Sequence, residues 1–189
     1  MRETIAVNEG IFLRPPVNSD VPCLVGALKE REIYERTIMI PYPYTEEDGR
    51  GFIELTSKRL DEFGHAMDWG IYKKNEGLIG MIGFYGKSKE TPDVDGIGYW
   101  LAKPYWNQGI MAQVLKKITE LGFEKYGFKR LEMPIFSSNQ ASCRVAEKCG
   151  YRHEKDLPAA CQKDGKAIDA KLYVIDNRLK GSKRSQGRV

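Results

Sequence analysis

The chain of 189 residues is predicted to be an α/β protein with a mixed sheet covered on both sides, and three observations carry that expectation. Apolar runs of strand length are interleaved with amphipathic stretches of helical period. The last of these runs form a closing hairpin around Lys163-Asp164-Gly165-Lys166, where Asp-Gly supplies the positive dihedrals of a tight turn. No internal repeat and no rich linker divides the chain. With 41% hydrophobic and 30% charged residues it can fill one core and is short for two. One domain over residues 1–177 is therefore expected, with a tail at 178–189.

In chain order, Thr4 to Arg14 contains Ile11-Phe12-Leu13 and reads as a first strand stopped by Pro15-Pro16. Ser19 and Asp20 are caps for a helix from about Val21 to Arg31. The stretch IMIPYPYTEEDGR reads as a loop that exposes Tyr42 and Tyr44, after which Thr45 caps a helix from about Glu46 to Leu60. Met67 to Tyr72 and Leu78 to Tyr85 are two strands of a hairpin. Gly77, Gly80, Gly83 and Gly86 recur every third residue. Inside a strand pattern this indicates bulges or close packing rather than a phosphate loop. Ile97 to Leu101 is a buried strand ending before Pro104. Ile110, Val114, Leu115, Ile118, Leu121 and Phe123 then share one helical face, so a long helix starts at about Asn107 to Gly109. A second strand, Leu131 to Phe136, ends in Ser137-Ser138-Asn139. The helix after it carries Val145 and Ala146 and stops at Gly150. His153 to Ala160 and Ala167 to Ile175 form the closing hairpin.

Chemistry is expected at the turn before the long helix. First-turn amides have no partner within a helix and the macrodipole puts partial positive charge there, while glycine lets a ligand approach the backbone. Asn107-Gln108-Gly109-Ile110-Met111 thus reads either as a cradle for a phosphate or pyrophosphate or as an ordinary helix start. GxxxxGK[ST] does not occur, and no GxGxxG follows a strand, so ATP hydrolysis and dinucleotide chemistry lose support. Cys23, Cys143, Cys149 and Cys161 show no metal-ligand spacing, and His65 and His153 sit in no recognisable motif; free thiols and no metal are expected. The opening MRETIAVNEG has no apolar core of a leader and no run is long enough to span a bilayer, so cytoplasmic residence without membrane attachment is the expectation. The net charge of +4 lies in the tail. Arg178, Lys180, Lys183, Arg184 and Arg188 account for it and leave the first 177 residues at about −1. Such a tail is a solvated end, or at most a weak dock for an acidic partner such as ribosomal RNA.

The words IGYWL, YWNQGIMAQVL, NQAS, KCGY and KDGKAIDAKLY follow one another across most of the chain. In them the chain resembles the GNAT superfamily of acyl-CoA-dependent N-acyltransferases, in its branch of ribosomal-protein N-terminal (alanine or serine) acetyltransferases. The resemblance implies a mixed, largely antiparallel sheet in which the strands Ile97 to Leu101 and Leu131 to Phe136 are parallel and splay apart. It implies acetyl-CoA as co-substrate, without metal. Tyr99, Trp100 and Leu101 would pair with the amide-bearing arm, Gln108, Gly109, Ile110 and Met111 would hold the pyrophosphate, and Asn139 would bond the arm near the thioester. Ser142 would donate a proton to the leaving sulfur, or else only cap its helix, and the loop with Tyr42 and Tyr44 would cover the acceptor, or else the tyrosines only pin a Pro-rich loop. Departures are Met111 where the family's turn has a small residue, Ala146 where many members have an acidic tyrosine, and Gly96 and Cys161 where members can place a carboxylate base. The base is thus unassigned, and Glu132, set opposite Leu131 and Met133 by strand alternation, reads either as that base or as a solvated strand residue. The implied acceptor is a primary amine. An α-amine costs about 1 kcal/mol to free at neutral pH against roughly 4.6 for lysine, which favours a protein or peptide N-terminus. A small-molecule amine and a silent acyl-CoA-binding module remain open.

Overall fold

The computed structural model describes residues 3–86 and 92–177, so the tail expected at 178–189 lies outside the described residues. The chain starts by folding back on itself. Asn8 Oδ1 accepts from the amides of Gly10 (2.9 Å) and Ile11 (2.8 Å), making a turn between β1 (Ile5–Ala6) and β2 (Ile11–Arg14) where one unbroken strand was expected. The helix expected over Val21 to Arg31 ends at Leu28 (α1, Val21–Leu28), and a single turn, α2 (Arg31–Tyr34), follows. Asp20 ties the start of α1 to the sheet by accepting from the Val17 amide (2.8 Å) and the Tyr72 hydroxyl (2.6 Å).

Helix α3 (Glu46–Phe63) begins as its sequence dictates. Thr45 and Asp48 form a reciprocal capping box, and Gly64 at φ 69° terminates the helix. Strands β3 (Asp68–Lys73) and β4 (Gly77–Phe84) form the expected hairpin. The glycine series in it is packing, since a Cβ at Gly80 would stand 2.6 Å from the Trp100 carbonyl oxygen. The remaining elements are β5 (Val94–Leu101), α4 (Ile110–Glu124), β6 (Arg130–Phe136), α5 (Gln140–Lys148), β7 (Arg152–Lys163) and β8 (Lys166–Asp176). Asp164 (φ 50°) and Gly165 (φ 72°) make the turn of the closing hairpin.

The strands form one sheet in the order β1-β2-β3-β4-β5-β6-β8-β7. Every pair is antiparallel except β5 with β6. Helices α4 and α5 pack on one face through Ile110, Met111, Val114, Leu115, Ile118, Cys143 and Ala146, against Ile82, Phe84, Ile97, Leu131 and Met133. On the other face α1, α2 and α3 set Val21, Leu24, Leu28, Ile33 and Ile53 against Tyr72 and Met81. Burying one such side chain is worth about 1.5–3 kcal/mol, so the two layers hold β4 and β5 rigidly between them.

The parallel pair is short. Only Val94–Gly96 lie against Arg130–Glu132. Beyond that point β5 stays with β4 as far as Leu101, and β6 stays with β8 as far as Phe136. Each strand follows its antiparallel partner as the sheet twists, and a slot opens between them.

Candidate active site

The slot has a polar wall. In β5 the Gly96 carbonyl accepts from the Tyr85 amide (2.9 Å), and just past the strand the Ala102 amide donates to the Ile79 carbonyl (2.8 Å). By strand alternation the even-numbered residues of β5 turn their backbone groups to β4, and Ile97, Tyr99 and Leu101 turn theirs to the slot. Of the three residues expected to pair with an extended arm, Tyr99 offers both groups and Trp100 is paired with Met81 of β4. The Leu101 carbonyl is taken by the indole Nε1 of Trp106 (2.6 Å).

The slot leads to the N-terminus of α4. Asn107 (φ 60°) and Gly109 (φ 73°) both adopt the left-handed conformation, and Gly109 is the N-cap. With Gly109 as N-cap, the first-turn amides of α4 have no partner within the helix and stand at the positive end of its macrodipole, where anions bind. A Cβ at Gly109 would meet no atom within 4 Å, so the approach is open. Gln108 Nε2 donates to the Pro104 carbonyl (2.9 Å) and braces the turn. Ile110 and Met111 are each 7% exposed and point into the core, which is why methionine is tolerated where a small residue is usual. These residues fit a pyrophosphate.

At the inner part of the slot the two segments singled out in the sequence meet. Asn139 is the N-cap of α5, its Oδ1 accepting from the Ser142 amide (3.2 Å). The cap therefore belongs to Asn139, and the Ser142 hydroxyl is free of that duty. Tyr99 crosses from β5 and donates to the Ser142 carbonyl (3.5 Å). Burial pushes the Tyr99 phenol up to about 12, while Ser142 lowers it in part. Tyr99 is thus a neutral proton donor beside Ser142, a property its place in IGYWL did not reveal.

Glu132 projects from β6 on the face opposite Leu131 and Met133, as alternation requires. It accepts from Arg130 Nε (2.7 Å), and Arg130 also bonds Glu154, whose other partner is Arg152 (3.0 Å). Gly96, the Cα partner of Glu132, lies under the ring of Tyr85, a residue the sequence reading passed over. The tyrosine loop is corrected in one respect. Tyr44 is 8% exposed and packs in the core with Val21 and Leu24, and burial pushes its phenol up to about 12. Tyr42 is 44% exposed and packs at a tilt against Tyr34 (5.2 Å between centroids). Tyr34 in turn hydrogen-bonds Asp164, and Lys163 donates to the Thr37 carbonyl (2.8 Å), so the loop is tied to the β7–β8 turn. Cys161 is half-buried in β7 opposite Ile168.

Residues 11–152 match the family model for the acetyltransferase (GNAT) domain. The chain belongs to the GNAT acetyltransferase family. It is an acetyl-CoA-dependent N-acetyltransferase with no metal-holding cluster among the described residues. It is 28% identical over 182 residues to the ribosomal-protein-serine acetyltransferase of Escherichia coli, covering 94% of this chain and all of that protein. The uncharacterized N-acetyltransferase YoaA of Bacillus subtilis is 31% identical over 108 residues, which span 57% of this chain and 60% of that protein. Among solved structures, RimL, the ribosomal L7/L12 α-N-protein acetyltransferase in complex with coenzyme A, superposes with a TM-score of 0.81 at 26% identity. That alignment covers 92% of this chain and 98% of that one. No helix of the described residues is long and apolar enough to cross a membrane.

Proposed function

We propose that this GNAT enzyme acetylates the α-amino group of a protein or peptide N-terminus in the cytoplasm, by direct attack on the thioester in a ternary complex. The observation that carries this reading is that neither position 96 nor position 161, where relatives can place a carboxylate base, supplies one. Position 96 has no side chain and is roofed by Tyr85, and Glu132 is held by Arg130. Without a strong base the acceptor must lose its own proton at modest cost, about 1 kcal/mol for an α-amine against roughly 4.6 for lysine. The resemblance over nearly the whole chain to a protein named as a ribosomal-protein-serine acetyltransferase supports the same class of acceptor.

In this mechanism the amides of Gly109, Ile110 and Met111, with Gln108 bracing the turn, hold the pyrophosphate of acetyl-CoA. The open edge at Tyr99 pairs with the amide-bearing arm as an added strand, and the side-chain amide of Asn139 bonds it near the thioester. Because α4 and α5 close one face, the amine enters from the other and meets the acetyl carbonyl in the slot. Rate comes mainly from orientation and from a slot-facing backbone amide donating to the carbonyl oxygen as it gains charge. As the carbon–sulfur bond breaks, the Ser142 hydroxyl, next to the Tyr99 phenol, gives the departing sulfur its proton, and the proton lost by the attacking nitrogen returns to Ser142 through water, so the serine is restored.

Steady-state assays with matched peptides test the reading, one with a free N-terminus and blocked lysine and one reversed. The free N-terminus should be preferred, with Glu132→Gln retaining most of kcat at saturating peptide. A preference for the lysine peptide that collapses in Glu132→Gln would overturn it and make Glu132 the base.

A further inference from the structure

Tyr85 is unusual among the large apolar side chains in being 58% exposed while lying flat on a strand. The atoms that a Cβ would meet show how it lies. At Gly96 these are Cδ2 (2.2 Å) and Cε2 (2.7 Å) of the ring, and at Gly98 Cε1 (2.8 Å) and the hydroxyl (3.1 Å). Opposite edges of the ring therefore rest on two glycines of the same strand face, and no other residue at either position would leave room for it. One ring face is turned to the backbone and the other away from the sheet.

Its place in the fold matters as much. Ile97 and Leu101 of β5 face the α4 side, so Gly96 and Gly98, with Tyr85 above them, face the side left for the acceptor. Gly96 is the last residue of β5 paired with β6, and Gly98 lies inside the slot. The ring thus spans the point where the strands part. The Cα partner of Gly96 is Glu132, whose side chain rises on the same face. Around Glu132 the linked side chains are Arg130, Arg152, Glu154 and Asp176, a cluster with one more carboxylate than guanidinium. Burial of the phenol against the strand, and the nearby Asp95 carboxylate, push Tyr85 up, so the ring stays neutral.

An exposed aromatic face beside a carboxylate is suited to one kind of group. We infer that Tyr85 is the acceptor platform of this enzyme: its outward face receives the positively charged ammonium of the incoming N-terminus by a cation–π contact, with Glu132 as the neighbouring anion, and so holds the amine at the mouth of the slot. This rests on the proposed function for the nature of the acceptor. Tyr85 is a positioning residue and takes no proton.

The test measures peptide affinity directly, so that it does not depend on turnover. Calorimetry on the CoA-bound protein would use a serine-initiated peptide with blocked lysines and the same peptide N-acetylated. Tyr85→Leu keeps an apolar group over the glycines and removes the ring. It should weaken the free-amine peptide roughly 2- to 30-fold, the range of a cation–π contact. The acetylated peptide and CoA should bind as to the wild type, and Tyr85→Phe should restore affinity toward the wild-type value. Gly96→Ala, which must displace the ring, should weaken the free-amine peptide as Tyr85→Leu does. Equal affinity of Tyr85→Leu and wild type for the free-amine peptide, or an equal loss for both peptides, would overturn the inference. A wild type that binds the peptide but never acetylates it would instead defeat the proposed function.

Discussion

Replacing Gly109 separates what the helix start contributes to folding from what it contributes to the co-substrate. Gly109 has φ 73° and ψ 1°, and a Cβ there meets nothing within 4 Å. The folded protein therefore has room for a side chain but not the right backbone for one. Holding an L-residue in the left-handed region costs about 1–2 kcal/mol, and a chain of this size loses about 2–4 °C in Tm per kcal/mol. Gly109→Ala and Gly109→Val should both fold and should melt roughly 2–8 °C lower. The effect on CoA should be larger and should depend on bulk. Each charge-assisted hydrogen bond from an amide to the pyrophosphate is worth about 1.5–3 kcal/mol. Keeping the phosphates off one amide weakens binding by about 10- to 150-fold, at 1.4 kcal/mol per tenfold. Titration calorimetry with CoA, beside thermal melts, reads both numbers. CoA affinity unchanged in Gly109→Val, with the melting temperature lowered, would refute the cradle and leave the turn as an ordinary helix start.

Other residues give separable outcomes. Ser142→Ala should cut turnover by ~10² to 10⁴ while CoA affinity and melting temperature hardly move, since Asn139 carries the cap; a stopped assay at saturating acetyl-CoA decides it. Asn139→Ala should lose about 1 kcal/mol of stability from the cap, seen in urea unfolding, and should also weaken CoA. Tyr99 is raised from 10.0 to about 12, so the native state keeps a proton that the unfolded chain releases near pH 10. Its contribution is whole below that pH and fades as pH climbs toward 12, and Tyr99→Phe should flatten the alkaline stability slope in denaturant titrations. The same shift keeps the phenol protonated in any ordinary assay, so the rise of kcat/KM with pH should follow the acceptor amine.

The order of elements was legible because apolar period, caps and turn residues agree along most of the chain. Thr45 with Asp48, Gly109 before Ile110, and Asp164-Gly165 are local signals whose geometry is settled within a few residues. The missed turn at Asn8 was also signalled, since Asn8-Glu9-Gly10 interrupts the apolar run with turn residues, and the Asn8 side chain bonding its own neighbours closes that turn. Tyr44 was misread because the prolines around it suggested an exposed loop, whereas packing of α1 against α3 decides its burial. The cradle and Asn139 could be placed by spacing. The meeting of Tyr99 with Ser142, 43 residues away, depends on which strands are neighbours, and the cover that Tyr85 lays over Gly96 depends on the register of β4 on β5. One signal was present. Gly96 and Gly98 fall on the same strand face, and two bare positions in a row mark something lying close above them.

The most direct test offers both kinds of amine in one molecule. A peptide with a free N-terminal serine and an internal free lysine would be incubated with acetyl-CoA and the protein, and the acetylated position read by fragmentation mass spectrometry as the peptide is consumed. One acetyl group on the α-nitrogen, with the lysine unmodified until the N-terminus is exhausted, is the expected result. Acetylation of the lysine first, or no transfer while CoA still binds, would contradict the assignment.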